Sequence, residues 1–152
     1  MFLIMTQRGF RSAVALCNTE VEAATIFPGI AFPGRSTTPS IDVLAVRESI
    51  PLAIISAKWS LRHDRVNDIT NECPVYKAAD ERIYRQARRA RLPYYVVTNE
   101  YSPARVNKML DDTCVDGVVH VHKAAIVDVC GLDGRLERLI DLANFVDTTS
   151  LW

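Results

Sequence analysis

Residues 41–58 read Ile41-Asp42-Val43-Leu44-Ala45-Val46-Arg47-Glu48-Ser49-Ile50-Pro51-Leu52-Ala53-Ile54-Ile55-Ser56-Ala57-Lys58. Two apolar, β-branched runs, 41–46 and 52–58, flank a short polar link, Arg47-Glu48-Ser49 with Pro51. That pattern predicts two strands joined as a hairpin. Upstream lie two loop signals, Phe27-Pro28-Gly29 and Phe32-Pro33-Gly34, with the loop continuing through 35–40. Before them, Phe10, Val14, Cys17 and Val21 form a loose apolar stripe that predicts a helix over 8–25.

Downstream, a helix is expected from Asp64, placed to cap it, to Cys73. Pro74 is expected to end or kink it, or to open a second helix running to Arg91. The rest alternates: strand 94–98, helix 103–110, strand 117–121 and an amphipathic helix 134–145 with Leu136, Leu139, Ile140 and Leu142 on one side. The expectation is α/β, a mixed central β-sheet flanked by helices.

The chain has 152 residues, which favours one domain over 1–152, and an apolar share of 49% gives it a real core. No apolar run is long enough to span a membrane. Met1–Met5 is too short for a secretory signal, so a cytoplasmic protein is expected. The net charge of +0 argues against an indiscriminate nucleic-acid binder. Arginine is nevertheless clustered: Arg62 and Arg65, then Arg82, Arg85, Arg88, Arg89 and Arg91. A locally positive face holds phosphates even in a neutral protein. Cys17, Cys73, Cys114 and Cys130 form no CxxC pair, so buried thiols are expected rather than a zinc knuckle or disulfides.

Asp42, Ser56, Lys58 and Glu72 carry the chemistry. Strand side chains alternate, so Ser56 and Lys58 share a face. If the strands pair as a hairpin, Asp42 falls near Lys58, and Glu72 can reach the same point from the following helix. Mg²⁺ takes one or two carboxylates together with water and phosphate, which Asp42 and Glu72 can supply. Lys58 would polarise the attacking water and add charge beside the developing oxyanion. Taken singly, a lysine at a strand end or an aspartate before a strand is usually a solvated surface residue.

The stretch Ser56-Ala57-Lys58-Trp59-Ser60-Leu61-Arg62-His63-Asp64-Arg65 resembles the S-x-K-W-x-x-R-x-D-R element of type II restriction endonucleases of the CCGG group, NgoMIV-like members of the PD-(D/E)XK nuclease superfamily. In that group Ser replaces the second acidic residue of the motif. A Glu with thirteen residues between it and the Lys restores the carboxylate, and here Glu72 stands at that spacing from Lys58. The resemblance extends loosely over residues 40–125, with its motif core in 56–72. It implies a restriction-endonuclease-like fold, a Mg²⁺ cofactor, Asp42 and Glu72 as metal carboxylates, Lys58 as catalytic lysine and Ser56 in the vacated acidic position. Ile41 stands where the family has Pro, and the step from Asp42 to Lys58 is short for the family. The family's large N-terminal part, which supplies a further active-site Glu, is expected to be largely absent. Glu20 and Glu22 are possible stand-ins, though surface helix residues are the favoured reading.

Arg62, Asp64 and Arg65 have their own physical logic. Arg donates two hydrogen bonds to guanine and Asp accepts from cytosine N4, so the three fit a run of C and G. The resemblance implies that they read a CCGG core. The plainer reading is an N-capping Asp with solvated Arg neighbours. Trp59 is read as a packing residue, the 82–91 arginines as a solvated helix face, and His120 and His122 as two residues of one strand face, packing or surface before metal.

The expected function is a Mg²⁺-dependent restriction endonuclease on double-stranded DNA. Palindromic sites imply a homodimer or tetramer. The alternatives are a catalytically impaired DNA-binding relative and a structure-selective repair or recombination nuclease.

Overall fold

The computed structural model describes residues 16–47, 49–87, 90–131 and 136–148. Its centre is a six-stranded mixed sheet flanked by helices, with the strands side by side in chain order. They are β1 (Leu16–Glu22), β2 (Ser40–Arg47), β3 (Ile50–Lys58), β4 (Tyr94–Thr98), β5 (Gly117–His120) and β6 (Leu139–Asp141). The helices are α1 (Ala23–Ile26), α2 (His63–Tyr84), α3 (Pro103–Asp111), α4 (Lys123–Cys130) and α5 (Leu142–Thr148), with a 3₁₀ turn at Leu136–Arg138. The first three strands form an antiparallel meander, and β3 to β6 run parallel. Parallel neighbours need crossovers, and α2, α3 and α4 supply them.

Side-chain alternation divides the sheet between two unequal cores. Leu44, Ile54, Val96, Val118 and Leu139 point into the larger one, with Val66, Ile69, Cys73 and Tyr76 of α2 and Val106, Met109 and Leu110 of α3. Their neighbours Val43, Ile55, Val97 and Val119 point the other way, onto Phe145 of α5. Ser56 and Lys58 follow Ile54 at steps of two, which places them on the α2 side.

Four sequence expectations are corrected. Residues 16–22 form a strand, because pairing with β2 satisfies their backbone groups through the register Val21↔Ile41 and Thr19↔Val43; 8–15 lie outside the described residues. The stretch 134–145 is not one helix. Leu139 and Ile140 fall on opposite faces of the sheet, one in each core, as the period of two in β6 requires.

The helix after β3 neither ends nor divides at Pro74, but runs unbroken for 22 residues to Tyr84 and stops short of Arg91. Proline removes one backbone hydrogen bond. The packing of Val66, Ile69, Cys73, Tyr76 and Ala79 on both sides of it outweighs that loss. Finally, Cys73 and Cys114 are joined in a disulfide across 41 residues, tying α2 to the turn after α3. Closing a loop of that size stabilises by about 4 kcal/mol in the chain-entropy account. The side chains of Cys17 and Cys130 lie outside the described set. Among the described residues, no helix is long and apolar enough to cross a membrane.

Candidate functional site

The hairpin brings Asp42 level with Ser56, one step beyond the pair Val43↔Ile55. Three donors converge on one oxygen, Asp42 Oδ2: the Ser56 hydroxyl at 3.1 Å, the Ala57 amide at 2.8 Å and Lys58 Nζ at 2.6 Å. The Asp42–Lys58 ion pair is part-buried, so it is less screened than a surface pair.

Glu72 approaches from α2. Arg35, in the loop before β2, donates to Glu72 Oε1 and to Asp68 Oδ1, each at 2.6 Å. Burial raises the Glu72 carboxyl above the ordinary glutamate value of 4.5, and the Arg35 charge and hydrogen bond only partly offset it. Lys58 also acts on the Glu72 charge, as the smallest of its influences.

Beneath them lie two tyrosines, Tyr76 and Tyr94, with ring centroids 6.2 Å apart. Burial pushes the Tyr94 phenol far up, so it stays protonated. Burial pushes the Tyr76 phenol far up, and Glu72 and Asp42 push it further, so it stays protonated.

Of the four residues expected to carry the chemistry, Asp42, Ser56 and Lys58 are in direct contact, while Glu72 stands on α2 bonded to Arg35. Arg35, Asp68, Tyr76 and Tyr94 were not singled out by their sequence context. Tyr76 had a signal: it lies four residues after Glu72 on one helix, which places the two on one face. Arg35 follows a loop Pro-Gly, and nothing in its spacing marks it.

Arg62, Asp64 and Arg65 lie exposed at the start of α2, just beyond the end of β3. Asp64 does not cap the helix. Arg62 holds that position, and Asp64 sits in the first turn, where its charge complements the helix dipole. Loose ion pairs join Asp64 to Arg62 at 3.6 Å and to Arg65 at 3.8 Å, leaving all three side chains open to solvent. Trp59 is not a packing residue. It is 74% exposed, while its carbonyl accepts from the Asn99 amide at 3.2 Å. The anchored backbone turns the indole outward.

No family model matches this chain, and neither does any curated protein.

Other expected residues resolve as follows. Glu20 and Glu22 are exposed on β1 rather than on a helix. Glu20 falls level with Asp42 but leaves the ladder with a φ of 53°. His120 ends β5 fully buried, its Nε2 donating to the Glu100 carbonyl at 2.9 Å and its Nδ1 accepting from the His122 amide at 3.0 Å. Both ring nitrogens are thus used internally. His122 lies beyond β5, at the start of α4, so the two do not share a strand face. Of the arginine run, Arg82 binds the Pro28 carbonyl at 2.9 Å and Arg85 pairs with Glu81 at 3.2 Å. Arg82 thus ties α2 to the 27–29 loop, Arg85 lies on the solvated helix face as expected, and Arg88 and Arg89 lie outside the described residues.

Among the described residues, no group of three or more His, Cys, Asp or Glu side chains is placed to enclose a metal ion. Magnesium does not need such a cage, since one or two carboxylates plus water and phosphate suffice. Asp42 and Glu72 are the two carboxylates of this corner of the sheet, the first bound by Lys58 and the second by Arg35.

Proposed function

We propose that the chain is a Mg²⁺-dependent nuclease of the type II restriction class, hydrolysing double-stranded DNA at a CCGG-containing site. The observation that carries this reading is Lys58 Nζ at 2.6 Å from Asp42 Oδ2, with Glu72 on α2 close enough for Lys58 to act on its charge. Asp42 and Glu72 would hold the ion. When bound, Mg²⁺ neutralises phosphate charge and makes water a better nucleophile.

The remaining work falls to side chains. Ser56, the Ala57 amide and Lys58 fix Asp42 through Oδ2. Lys58 orients the attacking water and balances negative charge gathering on the phosphate. Water adds to phosphorus, the bond to the 3′ oxygen breaks, and a 5′-phosphate remains. Arg62, Asp64 and Arg65, exposed at the start of α2, would read guanine and cytosine edges. A palindromic site calls for two-fold symmetry, hence a homodimer or tetramer. Such an enzyme acts where the DNA is, which places it in the cytoplasm.

A second reading, DNA binding without cleavage, draws on Arg35, whose guanidinium already engages Glu72 Oε1. One experiment separates the two. Mixed duplex DNA is incubated with the protein and Mg²⁺, and the new ends are sequenced. A shared CCGG at the ends is expected. Ends sharing no such core would remove the specificity, and intact DNA would remove the nuclease.

A further inference from the structure

Tyr76 is 1% exposed, and its ring is packed among Phe27, Phe32 and Tyr94 with centroids 5.2 to 6.2 Å away. Its hydroxyl is buried and has no hydrogen-bond partner among the described residues. A buried hydroxyl without a partner is costly, and native structures seldom keep one without a reason. Phenylalanine would keep every one of these ring contacts and avoid that cost. Tyr76 lies one helical turn after Glu72 on the same face of α2, on the side of the sheet that carries Ser56 and Lys58. Tyr76 thus offers a donor beside the two carboxylates, and the described protein supplies no acceptor for it.

We propose that Tyr76 is a further binding residue of this site, its hydroxyl donating to an oxygen that enters beside Asp42 and Glu72. That oxygen is either a water carried in with a divalent cation or a non-bridging oxygen of a DNA phosphate. The inference rests on the reading of Asp42 and Glu72 as cation ligands. It adds a neutral donor not already committed to Asp42, unlike the Ser56 hydroxyl and the Ala57 amide. A neutral donor contributes direction without adding positive charge that would compete with the cation.

The test compares the full chain with its Tyr76→Phe variant in three measurements. Thermal unfolding in cation-free buffer should show the variant at least as stable as the parent, because an unpartnered buried hydroxyl has been removed. Titration with MnCl₂ alone, followed by calorimetry, reads the water. Titration with a CCGG-containing duplex in CaCl₂, followed by anisotropy, reads the phosphate oxygen. Loss of one hydrogen bond should weaken one of the two titrations about two- to tenfold. Weaker Mn²⁺ binding assigns the acceptor to water, and weaker duplex binding with Mn²⁺ binding unchanged assigns it to phosphate. Equal affinity in both titrations overturns the role of Tyr76 and leaves the cation site standing. A less stable variant in cation-free buffer also overturns it, by showing that the hydroxyl has a partner within the protein. If the parent chain binds neither Mn²⁺ nor duplex, the cation site itself fails, and this inference falls with it.

Discussion

Glu72 and Glu100 are both drawn out of solvent at the same end of the sheet, yet their surroundings treat them in opposite ways. Glu100 follows β4 and is held by three donors. The Leu61 amide and Arg105 bind Oε2 at 2.9 and 3.1 Å, and the Ser102 amide binds Oε1 at 2.9 Å. Burial raises its carboxyl, but these hydrogen bonds outweigh burial, and the net shift is downward. Glu72 has Arg35 on Oε1, and burial wins, so its carboxyl is raised. One carboxylate is completed by the protein and acts as a brace between the β3 and β4 loops. The other keeps a raised carboxyl despite its ion pair with Arg35, because burial outweighs that charge. Perturbed groups beside other titratable side chains are candidates for function on this ground.

The contrast can be broken most severely at Glu72. Glu72→Gln should lower Mg²⁺-dependent cleavage by about 10²- to 10³-fold, comparable to losing one preorganised electrostatic group, while leaving the fold intact. Supercoiled plasmid nicking followed over time reads this, and an unchanged rate would make Glu72 another brace. Glu100→Gln should do the reverse. It turns an acceptor of three hydrogen bonds into one that mismatches its donors, costing about 1–3 kcal/mol in urea unfolding, with nicking by the folded protein retained.

The pH dependence should divide the two in the same way. Glu72, with its folded value raised above 4.5, must lose its proton before it can hold a cation, so Mn²⁺ affinity should climb as pH rises past 4.5. Arg35→Ala removes a lowering influence and should move that climb to higher pH. An unmoved profile would show that Arg35 does not govern Glu72. Glu100, with its folded value lowered, contributes stability that is present above 4.5 and is lost as pH falls through the lowered value. The smallest effect on stability is expected at Trp59. Trp59→Ala should stay within about 0.5 kcal/mol in unfolding, because the indole is exposed, yet weaken duplex binding if the segment from 59 to 65 faces DNA.

Much of the antiparallel half was legible in the sequence, since two apolar runs, 41–46 and 52–58, around a short polar link leave one sensible pairing. That pairing put Asp42, Ser56 and Lys58 on one face without further information. Glu72 was reachable by spacing along α2. The edges of the sheet were not legible. Leu139 and Ile140 carry a helical stripe with Leu136 and Leu142, and only the hydrogen bonds offered by β5 make them a strand. Cys17 and Val21 gave a similar false stripe in β1. The partners of the site were hidden for a different reason. Arg35 meets Glu72 across 37 residues through a loop of no regular period, and no local pattern encodes such a contact. The Cys73–Cys114 bridge was likewise a matter of tertiary proximity, which spacing alone does not reveal.

The account stands or falls on Lys58, the cation that faces Asp42 at the end of β3. The most direct measurement is nicking of supercoiled plasmid in Mg²⁺ by the parent chain and by Lys58→Ala, paired with duplex binding in Ca²⁺. The parent should nick, and the variant should bind the duplex as well as the parent while cutting at least about a hundredfold more slowly. A Lys58→Ala protein that nicks as fast as the parent would contradict the account.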